Sequence, residues 1–159
     1  MHVTYQSPGW NFSPILLSED AQIYSFAPYT ETTDCSALNI NLNNQTDYLA
    51  SAAISASKSN PSISITMKHI LSKINVTIDG SSSCQVKLLN VPNAATYNLK
   101  TDKLTVGGSG NITTSSSSVL ICPAPSQVLK MNITYNGKQY DYTESAKPYE
   151  AGKEYGINL

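Results

Sequence analysis

Residues 62–78 read SISITMKHILSKINVTI, and the spacing of their apolar side chains decides the fold class. Ile63, Ile65 and Met67 alternate with Ser64, Thr66 and Lys68. A period of two puts one apolar row on one face of a strand. The phase then changes: Ile74, Val76 and Ile78 fall on even positions, so a bulge or bend is expected near residues 69–73. One long bent strand, or two short ones, follows.

Strand signals continue towards the N-terminus. Residues 23–27 read as a short strand stopped by Pro28, which cannot continue a ladder. In residues 34–44, Leu38, Ile40 and Leu42 share one face of a second strand. Residues 47–57, DYLASAAISAS, suit a helical turn or a strand; the alanines favour the turn, and no capping residue decides. The polar run 58–62 contains Asn60-Pro61 and is the clearest break in the chain, because the residue before proline is pushed out of the helical region.

Towards the C-terminus the pattern is more regular. Residues 79–83, DGSSS, make a turn. Residues 85–91 form a strand with Val86 and Leu88 on one face, closed by Pro92. Tyr97 and Leu99 face Leu104 and Val106 across the polar turn 100–103, which reads as a hairpin. The low-complexity run 107–118 carries few apolar groups and is expected to be a mobile loop. Residues 119–122 read as a short buried strand. Leu129, Met131, Ile133 and Tyr135 lead into Asn136-Gly137 and then Tyr140 and Tyr142. Asn-Gly supplies the two positive-φ residues of a type I′ turn, so 129–142 is a hairpin. Tyr155, Ile157 and Leu159 alternate to the last residue. Strands at this spacing, with turn chemistry between them, predict an all-β antiparallel sandwich with Greek-key connections.

Composition excludes several functions. With 13% charged residues and a net charge of −1, the chain has no field that would draw in nucleic acid. All ten basic residues are lysines, so the guanidinium fork that grips phosphate and carboxylate is missing. No run of some 18 apolar residues predicts a transmembrane segment. The N-terminus MHVTYQSPGW lacks the pattern of a signal peptide, so the chain is either cytosolic or begins after such a segment. Five Asn-x-Ser/Thr sequons, at Asn11, Asn44, Asn75, Asn111 and Asn132, are what a composition rich in Asn, Ser and Thr produces by chance. Cys35, Cys84 and Cys122 contain no C-x-x-C and allow one disulfide at most. Cys84 and Cys122 are the one candidate pair, across the sandwich, but strands place cysteines inward by default and buried free thiols acting as small hydrophobes are the favoured reading. His2 and His69 are the only imidazoles, and no metal or cofactor site is readable. The eleven acids form no catalytic motif; Asp141, Glu144 and Glu150 read as the solvated end of a hairpin.

Phrases in order along the chain resemble the fimbrillin family of the Bacteroidales. His69, Ser72, Lys73, Ile74 and Val76 match its H-x-x-S-K-(Ile/Leu)-x-Val strand. Trp10, the run Pro14-Ile15-Leu16-Leu17 and Ile23-Tyr24-Ser25-Phe26-Ala27-Pro28-Tyr29 resemble its N-terminal stretch. Asp47-Tyr48-Leu49-Ala50, Leu120-Ile121-Cys122-Pro123 and Tyr149-Glu150-Ala151-Gly152-Lys153-Glu154-Tyr155 resemble later elements. The resemblance implies a transthyretin-like β-sandwich, exported as a lipoprotein to the outer membrane, that builds cell-surface fimbriae by strand exchange with other fimbrial subunits. A lipoprotein cysteine and the arginine of the family's processing site are missing here. Residues 1–60 then read as the remnant of an N-terminal β domain and 61–159 as a C-terminal sandwich; one β domain over 1–159 is the alternative. A shaft, tip or accessory role fits, with a host or bacterial surface protein or glycan as further partner. Tyr155, Ile157 and Leu159 are the candidate strand-exchange segment, or else the domain's own last strand. A secreted carbohydrate-binding module is the competing function, with Trp10, Tyr140, Tyr142 and Tyr149 as aromatic faces for sugar rings.

Overall fold

The computed structural model describes residues 1–13, 16, 19–31 and 34–159; Pro14, Ile15 and Leu17 of the N-terminal phrase lie outside them. The first strands are β1 (Thr4–Gln6), β2 (Gly9–Asn11), β3 (Ala21–Ile23), β4 (Phe26–Ala27), β5 (Leu38–Asn41), β6 (Leu49–Ala50), β7 (Ile54–Ala56) and β8 (Lys68–His69). They are followed by β9 (Ser72–Thr77), β10 (Gln85–Pro92), β11 (Ala94–Asn98), β12 (Lys103–Val106), β13 (Ser109–Thr113), β14 (Ser118–Ile121), β15 (Ala124–Tyr135), β16 (Lys138–Tyr149) and β17 (Glu154–Asn158). A 3-10 turn at Leu42–Asn44 follows β5. The ambiguous stretch 47–57 holds the two short strands β6 and β7, so the alanines do not make a helical turn there.

The largest sheet has four strands in the order β13-β10-β15-β16. Three-stranded sheets β14-β9-β17 and β12-β11-β5 join it around one core. Each strand contributes one face. Ile74 and Val76 of β9, Val119 and Ile121 of β14, Val86 and Leu88 of β10, and Leu129, Met131 and Ile133 of β15 are all essentially inaccessible. The alternation that predicted strands is therefore the alternation that fills the sandwich. Leu38, Ile40, Leu42 and Ala50, from before the 58–62 break, belong to the same core cluster. β5 also pairs with β11, and β6 with β8.

The phase change falls at a bend at Leu71, inside the predicted interval 69–73. The first apolar row does not form the expected strand. Residues 62–67 carry no ladder, Ile65 is exposed, and pairing begins only at Lys68, where β8 meets β6. Alternation makes a strand only where a neighbouring ladder takes up the backbone groups, and no described strand flanks 62–67.

The run 107–118 also departs from expectation: it holds β13, an edge strand of the main sheet, and not only a loop. Its single large apolar side chain, Ile112, is buried opposite Leu88. A bulge between Leu88 and Val91, with Asn90 at φ 52, lets β10 change phase so that Val86, Leu88 and Val91 all point inward. The Asn111 side chain accepts the Asn90 N–H at 3.1 Å and ties β13 to that bulge. Glycine supplies the room: a Cβ at Gly110 would lie 2.7 Å from the Asn93 amide nitrogen.

The hairpin of β15 and β16 turns at Asn136 (φ 49) and Gly137 (φ 72), as Asn-Gly demands. β17 pairs with β9 in parallel, the one parallel pair among the described strands.

Candidate functional site

Two features bear on function: the strand edges that the sandwich leaves open, and the aromatic side chains on its surface. The predicted exchange segment is engaged within its own chain. Tyr155 pairs with Ile74 and Ile157 with Val76, and Ile157 is 3% exposed. Leu159 is half exposed, yet its N–H donates to the Thr77 carbonyl at 2.9 Å and its carbonyl accepts from the Asp79 N–H at 2.9 Å. Side chains reinforce this ladder. The Asn75 amide and the Lys73 ammonium reach the Glu154 carboxylate at 3.0 and 3.2 Å, and the Thr77 hydroxyl donates to Asn158 Oδ1 at 2.6 Å. The Lys73 and Asn75 hydrogen bonds hold Glu154 below the usual carboxylate range.

The four aromatic candidates do not form one platform. Trp10 lies on the β1–β2 hairpin, highly exposed, in edge contact with Tyr5 at 5.2 Å between ring centres. Tyr140 is exposed on β16. Tyr142 is half buried and donates its hydroxyl to Glu144 Oε2 at 2.7 Å, while Lys147 binds Oε1 of the same carboxylate at 2.8 Å. Tyr149 is buried, edge-on to Tyr155 at 5.0 Å, so its face is not available to a sugar ring. Burial, with the Glu144 charge nearby, pushes the Tyr149 phenol up to about 12. Its hydroxyl and the Gln127 side-chain oxygen are buried without a partner among the described residues.

All three thiols are free; Cys84 and Cys122 are buried and unbridged. The Cys84 thiol points at the Val76 carbonyl at 3.7 Å. Burial raises the Cys122 thiol to about 11. His69 sits beside the bend and meets Asp47 at 2.7 Å, on the surface. Among the described residues, no three His, Cys, Asp or Glu side chains converge as metal ligands, and no helix is long and apolar enough to cross a membrane.

One arrangement was not legible in the sequence. Strand β14 ends its sheet, with β9 on one side only. On the open side, Leu120 donates its N–H to Gln45 Oε1 at 2.6 Å, and Gln45 Nε2 donates to the Leu120 carbonyl at 3.2 Å. Ser118 donates its N–H to the Ser116 hydroxyl at 3.0 Å, and that hydroxyl donates to the Ser118 carbonyl at 3.1 Å. A polar cleft of about 500 Å³ runs along this edge, lined by Asn43, Asn44, Asp47, Thr113 and Ser115 together with the two closing side chains. The only sequence signal here is the density of Ser, Thr and Asn, which does not say where those side chains point.

An all-β sandwich with open strand edges is an architecture on which structural and binding modules are built. The chain belongs to the fimbrillin-like family, whose model matches residues 3–159. Membership places it among fimbrial proteins of the cell surface. Solved structures share the fold. A candidate cell adhesion protein of Bacteroides uniformis superposes with a TM-score of 0.70 at 22% identity, over 98% of this chain and 73% of that one. Candidate cell adhesion proteins of Bacteroides ovatus and Bacteroides thetaiotaomicron give TM-scores of 0.66 and 0.64 at 13% and 14% identity. They are matched over 94% and 88% of this chain and over 69% and 65% of their own lengths. Comparison with curated protein sequences gives no match.

Proposed function

We propose that this chain is a structural or adhesive subunit of bacterial fimbriae, exported to the outer membrane as a lipoprotein and joined to other subunits by β-strand exchange. The observation that carries the reading is the family match over residues 3–159. Physical chemistry supports the mode of assembly. A sandwich whose sheets end in open strands offers unpaired N–H and C=O groups to an extended segment of a neighbour, and a contact that does not close on itself propagates into a filament. β16, twelve residues long, ends the main sheet in this way.

Expression with an export signal in a Bacteroides host tests it. The chain is expected in sheared surface fibres visible by negative-stain electron microscopy. Recovery only as soluble periplasmic protein, with unchanged surface fibres, rejects the reading.

A secreted carbohydrate-binding module is the second reading, and exposed Trp10 beside Tyr5 favours it. Glycan-array binding that vanishes in Trp10→Ala or Tyr140→Ala, in a chain that forms no fibres, would select it.

A further inference from the structure

The cleft of about 500 Å³ beside β14 is assembled from parts of the chain far apart in sequence. Asn43, Asn44, Gln45 and Asp47 come from the 3-10 turn and the residues after it, Thr113 and Ser115 from the link between β13 and β14, and Lys73 from β9. Its volume lies in the range of small-molecule sites, about 300–1,000 Å³.

The frame of the cleft is fixed by hydrogen bonds. The outward N–H and C=O groups of Ser118 and Leu120 are already bonded to the Ser116 hydroxyl and the Gln45 amide. An extended peptide that pairs through its backbone therefore finds no partner on this edge. Gln45 Nε2 also donates to the Leu42 carbonyl at 2.7 Å, and Thr114 Oγ1, buried, accepts the Ser116 N–H at 3.1 Å. The Ser118 hydroxyl donates to Asn75 Oδ1 at 2.7 Å, and the Asn75 amide in turn holds Glu154, the partner of Lys73. Walls held in this way lose little freedom when a ligand arrives.

Four side chains of the lining keep their capacity free. Asn43, Asn44, Thr113 and Ser115 are exposed, and their side chains make no hydrogen bond among the described residues. Each amide or hydroxyl offers both a donor and an acceptor, the double capacity that a sugar hydroxyl also has. Half-buried Leu120 supplies an apolar patch for the C–H groups of a ring. Charge narrows the class further. Lys73 is the one lysine on the lining and is paired with Glu154 at 3.2 Å, while the Asp47 carboxylate, 2.7 Å from His69, adds negative charge. A phosphate, sulfate or sialic acid would meet that carboxylate with no guanidinium to hold it. The described lining contains no aromatic ring, so a flat apolar molecule has nothing to stack on.

We propose that this cleft binds a neutral oligosaccharide, with Asn43, Asn44, Thr113 and Ser115 reading its hydroxyls and Asp47 accepting from a pair of them. The site is separate from exposed Trp10 and Tyr140. It goes beyond both readings of the chain, since a fimbrial adhesin and a secreted module can each carry it.

The test screens the full chain on an array of neutral oligosaccharides of hexoses and N-acetylhexosamines, printed beside sialylated and sulfated ones. A neutral tetrasaccharide that binds is then titrated by calorimetry and by amide NMR. Binding is expected to move the side-chain amide signals of Asn43 and Asn44. Asn43→Ala with Asn44→Ala is expected to raise the dissociation constant about tenfold or more through the hydrogen bonds lost, with the melting temperature unchanged. Ser115→Trp, which fills the cleft, is expected to abolish binding, whereas Trp10→Ala with Tyr140→Ala leaves it intact. Neutral-glycan binding that survives both cleft variants overturns the proposal. Binding lost only in the Trp10 and Tyr140 variant overturns it too, while leaving the carbohydrate-binding reading standing. A preference for sialylated or sulfated glycans overturns the neutral class. No binding to any printed glycan overturns the proposal and the carbohydrate-binding reading together, and leaves the fimbrial reading untouched.

Discussion

Ile157 lies opposite Val76 in a parallel ladder, and both side chains are buried in the same core. The last strand is thereby part of the domain's own stability. The turn before it is built for this delivery: Gly152, at φ 72, donates its N–H to the Leu71 carbonyl, and the Lys73 N–H donates to the Lys153 carbonyl.

Removing β17 should therefore destabilise the monomer. Deletion of residues 154–159 is expected to lower the melting temperature clearly, with oligomer mass by light scattering following the folded fraction only. Ile157→Ala alone should cost about 2–5 kcal/mol in urea denaturation. An unchanged melting temperature together with lost higher-order species would make β17 a donor strand instead.

The turn of the β15–β16 hairpin is a second sensitive point. A Cβ at Gly137 meets nothing within 4 Å, so the penalty for Gly137→Val comes from the backbone at φ 72. It should cost about 1–3 kcal/mol. Calorimetry that shows no loss would refute the turn.

Alkali should unfold the protein in two stages. Cys122, raised by burial to about 11 from 9.0, and Tyr149, raised to about 12 from 10.0, stay protonated in the folded chain after they ionise in the unfolded one. Burial first, and then the hydrogen bond to Asp102, raises Tyr97 as well. A raised acid contributes stability that is present below its unfolded value and lost as pH rises towards its folded value. The urea midpoint should fall from about pH 9 and more steeply above about 10. Cys84→Ala with Cys122→Ala should remove the first limb and spare the second.

Acid acts through Glu144, which hydrogen bonds from Lys147 and then Tyr142 hold below its ordinary range. Its contribution is present above the unfolded carboxylate value and lost as pH falls through the folded one. Glu144→Gln should flatten the stability profile below about pH 4.5 and, by removing a charge that helps to raise Tyr149, also soften the tyrosine limb in alkali.

Cleavage by a lysine-specific protease at exposed Lys58 addresses domain organisation. We propose one β unit over 1–159, because Leu38, Ile40 and Leu42 share the core of the later strands. The nicked halves should co-elute and melt in a single transition; separation would favour independent units over 1–60 and 61–159.

Where local chemistry decides, the amino-acid sequence determined the outcome by itself. Asn136-Gly137 specifies its turn because few residues accept positive φ at both positions. Ile74 and Val76, Leu38 and Ile40, and Leu129, Met131 and Ile133 specify inward faces because a period of two is a property of the extended backbone. The family phrases, spread over most of the chain, pointed to the same sandwich. The tertiary structure alone decided which strand finds which. The parallel pairing of β17 with β9, the recruitment of Ser109–Thr113 into the main sheet, and the exclusion of 62–67 all depend on neighbours distant in sequence. Gln45 and Ser116 show the limit most clearly. As residue types they are ordinary polar surface, and they gain meaning only because the fold sets them against Leu120 and Ser118, whose outward backbone groups need partners that no sequence pattern announces.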